Sequence, residues 1–131
     1  MLANLSVLVV DDEPDLCEIV RRVLTREGAT VYTALGVTGA RKVCEDYGQQ
    51  VDLVITDLRL DDGTGVQVAE AVREVRPNAI VLYMSGLPYF DASVEEVRAD
   101  GPVVAKPFKG SELVDAVQAV LTQADHPAPS S

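Results

Sequence analysis

Short apolar runs alternate with amphipathic stretches along this chain, and that alternation limits the fold more than any other feature. The run Val7-Leu-Val-Val10 is apolar at consecutive positions, as is most of residues 51–56. A strand made from such a run must be covered on both faces, which is the situation of a central strand in a parallel sheet built from repeated strand–helix–strand units. Strands are expected over residues 6–10, 30–34, 53–56, 80–84 and 103–105. Five helices alternate with them. Pro14 suits a first helical turn, and Leu16, Ile19, Val20, Val23 and Leu24 repeat at helical spacing until Gly28 stops the helix. The second helix covers about 37–47 and is closed by Gly48. Val66, Val68, Ala69, Val72 and Val75 mark the third, ended ahead of Pro77. The fourth, about 91–99, has only Val94 and Val97 as clear apolar anchors. Leu113, Val114, Val117, Val120 and Leu121 define the fifth, with Ser111 as its cap. The fold class expected is α/β: a doubly wound, five-stranded parallel sheet.

Four charged groups stand where these strands end. Asp11 and Asp12 follow the first strand, Asp57 the third and Lys106 the fifth. The carboxyl ends of the strands of an open parallel sheet form one rim, where ligands bind, so these distant residues are expected in one pocket. Clustered carboxylates repel unless a hard cation or a proton offsets them, and an oxygen-rich set of this kind suits magnesium. Lys106 adds a positive charge suited to a phosphoryl group. A lone Asp at a strand end is usually a cap or turn former. Asp57, however, precedes a polar, glycine-bearing loop that leaves its carboxylate open, and a carboxylate can accept a phosphoryl group as an acyl phosphate when its charge is neutralised. Ser85, ending the fourth strand, can donate to a phosphoryl oxygen. A cis Lys106–Pro107 bond would aim the ammonium back into the pocket.

At 131 residues the chain fits one domain, expected over 1–124, with 125–131 a flexible tail or linker stub. Eleven basic against twenty-one acidic residues give a net charge of −10, which argues against binding nucleic acid or an anionic membrane. Cys17 and Cys44 lack metal-ligand spacing and are expected as buried, reduced thiols. With no cationic leader and no long apolar run, the chain reads as cytoplasmic. His126 lies in the tail and receives no role.

Val7-Leu-Val-Val-Asp-Asp-Glu-Pro14, Ile55-Thr-Asp-Leu58, Met84-Ser-Gly86 and Lys106-Pro-Phe108, in this order and spacing, resemble the receiver domain of two-component response regulators across about residues 4–124. The resemblance implies the flavodoxin-like strand order 2-1-3-4-5, with the site at the switch between the first and third strands. It makes Asp57 the phosphoacceptor, with Ser85 and Lys106 beside it. Asp11 and Asp12 become the acidic pair for magnesium, which Asp12 and Asp57 would ligate directly and Arg59 through its backbone carbonyl. The partners implied are a histidine kinase or phosphotransfer protein, an output protein or domain, and a homodimer formed on phosphorylation. Such a domain labels itself and slowly loses the label; it is not a turnover enzyme. A phosphatase of the haloacid dehalogenase type would want a second Asp two residues after the nucleophile, where Arg59 stands. The alternative reading is a scaffold that works without phosphorylation. Output is expected through binding, either by a stand-alone regulator or by the receiver of a larger protein such as a hybrid kinase. One departure concerns the aromatic that the family often carries three residues before the lysine, because Val103 stands there. Tyr83, Tyr89 and Phe90 lie nearby, with Tyr83 and Phe90 expected in packing. Without that aromatic, the response is expected to travel through the loops after Asp57 and Ser85 and through the fourth helix. Arg59 and Leu87 fall where the family tunes the lifetime of the acyl phosphate.

Overall fold

The computed structural model describes residues 2–86 and 101–125. The helix expected over about 91–99, together with Leu87, Tyr89, Phe90 and the tail from His126, lies outside them. The elements are β1 (Ser6–Val10), α1 (Pro14–Arg26), β2 (Thr30–Ala34), α2 (Val37–Tyr47), a 3-10 turn (Gly48–Gln50), β3 (Leu53–Asp57), β4 (Arg59–Leu60), β5 (Gly63–Thr64), α3 (Gly65–Val75), β6 (Ile80–Ser85), β7 (Val103–Ala105) and α4 (Gly110–Asp125). Five strands form one parallel sheet in the order β2-β1-β3-β6-β7, the expected doubly wound order. The expectation lacked the two-stranded antiparallel pair β4–β5, which folds the loop after Asp57 into a small hairpin.

Consecutive apolar residues in the central strands serve two cores because side chains alternate between sheet faces. Leu8, Val10, Val54, Val81 and Tyr83 pack with Ala40 and Cys44 of α2 and Val68, Ala69 and Val72 of α3. Val7, Val9, Leu53, Ile55, Leu82 and Met84 pack with Cys17, Val20 and Leu24 of α1 and Leu113, Val117 and Val120 of α4. Tyr83 is fully buried, as expected, while Val103 is 40% exposed at the sheet edge. Both cysteines are free and buried. Burial lifts the Cys17 thiol to about 11, so it stays protonated.

The helix ends follow local chemistry. Gly28, at φ 101, closes α1: its N–H donates to Thr25 O while Ala29 N–H donates to Leu24 O, the paired pattern of a left-handed helix stop. Gly48 ends α2, as expected. Its backbone stays right-handed and runs on into the 3-10 turn; a side chain there would meet Val75 Cγ1 at 2.9 Å, so packing demands the glycine. Ser111 is not the cap of the last helix. α4 starts one residue earlier, with Leu113 N–H donating to Lys109 O and Lys109 N–H donating to Glu112 Oε1 at 2.6 Å, so Glu112 closes the turn.

The hairpin caps two helices at once. Thr64 and Gln67 form a reciprocal capping box at the start of α3. Gly36, ahead of α2, has no side chain to cap with. Asp62 at the hairpin tip supplies the acceptors instead, taking Val37 N–H at 2.8 Å and Thr38 N–H at 3.0 Å. The bonds from Thr38 and Val37 hold the Asp62 carboxyl below the usual range.

Gly65, the first residue of α3, lies against the backbone of the third strand, and a Cβ built there would collide with the carbonyl oxygen of Asp57. That collision is with backbone and cannot be relieved by a rotamer change. Gly65→Ala is therefore expected to cost about 1–3 kcal/mol, the usual range for overpacking, and to displace the end of β3. Chemical denaturation with amide chemical shifts at residues 56–58 checks both effects; an unchanged midpoint would show the close approach to be unimportant.

Candidate functional site at the carboxyl rim

Strand register assembles the site before any side chain is considered. Val10 pairs with Thr56, so Asp11 and Asp57 leave neighbouring strands at the same level. Ser85 pairs with Ala105, and Lys106 N–H donates to Ser85 O at 2.8 Å, which sets Ser85 and Lys106 at the same rim. The Lys106–Pro107 bond is cis. Lys106 Nζ lies 2.6 Å from Asp11 Oδ2 and 3.1 Å from Asp57 Oδ2, bridging residues far apart in sequence.

Asp11 is fully buried. A buried carboxylate is tolerated when it is paired and hydrogen-bonded. Lys106 supplies the charge, and Glu13 N–H donates to Asp11 Oδ1 at 2.8 Å. Asp57 closes β3 with its side chain 15% exposed, enough to meet solvent on one side. One oxygen from each of Asp11, Asp12 and Asp57 falls within 4.8 Å of the others. A set of hard oxygen donors at that separation fits magnesium, whose charge would offset theirs. A cavity of about 230 Å³ opens beside Asp57, lined by Glu13, Asp57, Leu58, Arg59, Ser85, Gly86 and Lys106, with Asp11 and Asp12 outside its lining.

Electrostatics sets the resting state. Burial, helped by the charges of Asp11 and Asp12, pushes the Asp57 carboxyl above its ordinary range against the pull of Lys106. Burial alone would lower the ammonium of Lys106, but its hydrogen bond to Asp11 and the charge of Asp57 outweigh this and raise it. Lys106 therefore stays charged at neutral pH, and its contribution is lost only as pH climbs past that raised value.

All the residues expected in one pocket lie at this rim: Asp11, Asp12, Asp57, Ser85 and Lys106, with Arg59 in the cavity wall. Sequence reasoning missed Glu13 as a cavity residue, since it stood only as one position of the motif Val7–Pro14 with no role of its own. It also missed Asp62, which in sequence is a turn residue, because its partners lie 24 and 25 residues away.

The match to known proteins agrees with this geometry. The family model described as the response regulator receiver domain matches residues 7–118, and the chain belongs to that family. It is 33% identical over 117 residues to the probable transcriptional regulatory protein TcrX of Mycobacterium tuberculosis, covering 88% of this chain and 49% of that protein. The cell cycle transcriptional regulator CtrA of Caulobacter vibrioides is 28% identical, with 89% of this chain and 50% of that protein covered. The chain thus spans about half the length of these relatives. A response regulator receiver protein from Sinorhizobium medicae superposes with a TM-score of 0.78 at 30% identity, over 95% of this chain and 99% of the other. The chemotaxis protein CheY4 of Vibrio cholerae shares the fold at 24% identity and TM-score 0.76, with 88% and 98% covered.

The raised Asp57 carboxyl has a consequence for stability. A carboxyl held higher in the folded state than in the unfolded chain takes stability away as pH rises through the interval between the two values. Asp57→Asn removes that cost. In metal-free buffer the variant is expected to melt above the wild type at pH 7, with the gap closing near pH 3 where both states are protonated. Melting curves across that range check it; a variant less stable at pH 7 than at pH 3, relative to wild type, would reverse the assignment.

Proposed function

We infer that this domain is the phosphoacceptor receiver of a two-component phosphorelay, taking a phosphoryl group onto Asp57 from a phosphohistidine of a histidine kinase or phosphotransfer protein. The observation that carries the reading is the convergence of Asp11, Asp12 and Asp57 within 4.8 Å, with the Lys106 ammonium 3.1 Å from Asp57. In this reading an Asp57 oxygen attacks phosphorus as the phosphorus–nitrogen bond to the donor imidazole breaks, leaving an acyl phosphate. Lys106 shifts part of its pairing from the carboxylates to a phosphoryl oxygen. Ser85 donates its hydroxyl to another. Asp12 and Asp57 through their side chains, Arg59 through its backbone carbonyl and Asp11 through water would hold magnesium, which when bound offsets the charge of transfer.

The domain is a stoichiometric signalling module that slowly loses its own label, not a multiple-turnover enzyme. Its output is a partner protein or a further domain, as the transcriptional relatives of about twice its length suggest. A net charge of −10 supports a role without nucleic-acid or membrane contact by this domain itself. Among the described residues no helix is long and apolar enough to cross a membrane, in keeping with action in the cytoplasm. A homodimer formed on phosphorylation is a further partner state.

The test is labelling with magnesium and a small phosphodonor, read by intact mass. One alkali-labile, hydroxylamine-sensitive phosphoryl group per chain is expected, and Asp57→Asn should abolish it. An equal yield in that variant would move the acceptor elsewhere; no labelling of the wild type would favour a phosphorylation-independent scaffold.

A further inference from the structure

The hairpin β4–β5 joins the phosphoacceptor strand to a helix on which the proposed chemistry makes no direct call. It leaves β3 at Leu58, whose N–H donates to Met84 O, and closes where Gly65 N–H donates to Leu58 O. Arg59 pairs with Thr64 and Leu60 with Gly63, leaving Asp61 and Asp62 as a two-residue turn. Such a loop has little slack. The tip is fixed by Asp62, whose two oxygens take the first free N–H groups of α2 at 2.8 and 3.0 Å. Glycines hold the tip and the helix start close together. A Cβ at Gly36 would fall 2.5 Å from Asp62 Oδ1, and one at Gly63 would meet Val37 Cγ2 at 2.8 Å.

We propose that Asp62 is a positioning residue for the metal-binding loop: its cap on α2 sets the hairpin so that the Arg59 carbonyl faces the acidic cluster. This rests on the reading of the site given under the proposed function. Arg59 lies three residues before Asp62 on the same hairpin and lines the same cavity as Asp57. A loop free at its tip must be ordered when the cation binds, and a loop already pinned has that cost removed. The coupling is reciprocal: if the cap strengthens magnesium binding, magnesium strengthens the cap by the same factor. The start of α2, next to Leu35, which is 53% exposed, therefore reports whether magnesium is bound, at the edge of the sheet opposite Val103 and β7.

The experiment is a magnesium chloride titration of the full chain, followed by amide NMR and by hydrogen exchange at Val37 and Thr38. In the wild type, magnesium should slow exchange at these two amides. Asp62→Ala should weaken magnesium affinity, by at most about tenfold, the factor that corresponds to the whole of a strong cap, and should remove the response at Val37 and Thr38. Gly36→Ala, which keeps the carboxylate but pushes it off the helix, should do the same and serves if Asp62→Ala does not fold. Asp62→Asn retains one acceptor and should restore part of both effects. Variants that lose thermal stability yet bind magnesium as the wild type does, or a wild type in which magnesium leaves Val37 and Thr38 unchanged, would reduce Asp62 to an ordinary cap. A wild type that binds no magnesium would instead overturn the proposed function, and this inference with it.

Discussion

One ammonium group makes the rim of this sheet possible. Parallel pairing delivers Asp11 and Asp57 at one level, and strands about 4.8 Å apart leave little room for two carboxylates to avoid each other. Lys106 Nζ, within 3.1 Å of both, is the charge that lets them share the site, and Asp11 could not otherwise be fully buried as an anion. The lysine reaches them from the edge strand β7, so the outermost strand of the sheet is tied electrostatically to its centre. That arrangement is also chemically unspent, because the same ammonium can turn to an incoming anion.

The hairpin after Asp57 carries the second theme. It supplies a wall of the cavity through Arg59, the capping box of α3 through Thr64, and the cap of α2 through Asp62. A short segment with three attachments cannot move at one of them without loading the others. If the domain signals as proposed, this is a route for its response that does not need an aromatic at Val103. Tyr83, the register partner of Val103, is locked in the core facing α2 and α3 and offers no obvious replacement.

Much of this was legible in the sequence, for identifiable reasons. The sheet could be read because runs such as Val7–Val10 leave no polar face, and the rim because charged residues stood where those runs stopped. Ser111 misled because a serine near a helix start resembles a cap, whereas the turn is closed by Glu112 reaching back to Lys109. Gly48 ended its helix as expected but for contact with Val75, a partner 27 residues away. The β4–β5 pair escaped because two-residue strands carry no periodicity. Asp62 escaped because a turn aspartate gives no hint of which helix it serves.

The most direct test of the account is equilibrium unfolding of Lys106→Met from pH 7 to pH 4 in metal-free buffer. Removing one partner of a buried, hydrogen-bonded pair leaves the other charge stranded, so a loss of about 3–5 kcal/mol is predicted at pH 7. The loss should shrink as the carboxylates take up protons. A variant as stable as the wild type at pH 7, or one whose loss is the same at every pH, would contradict the claim that this ammonium is what allows the carboxylates to converge.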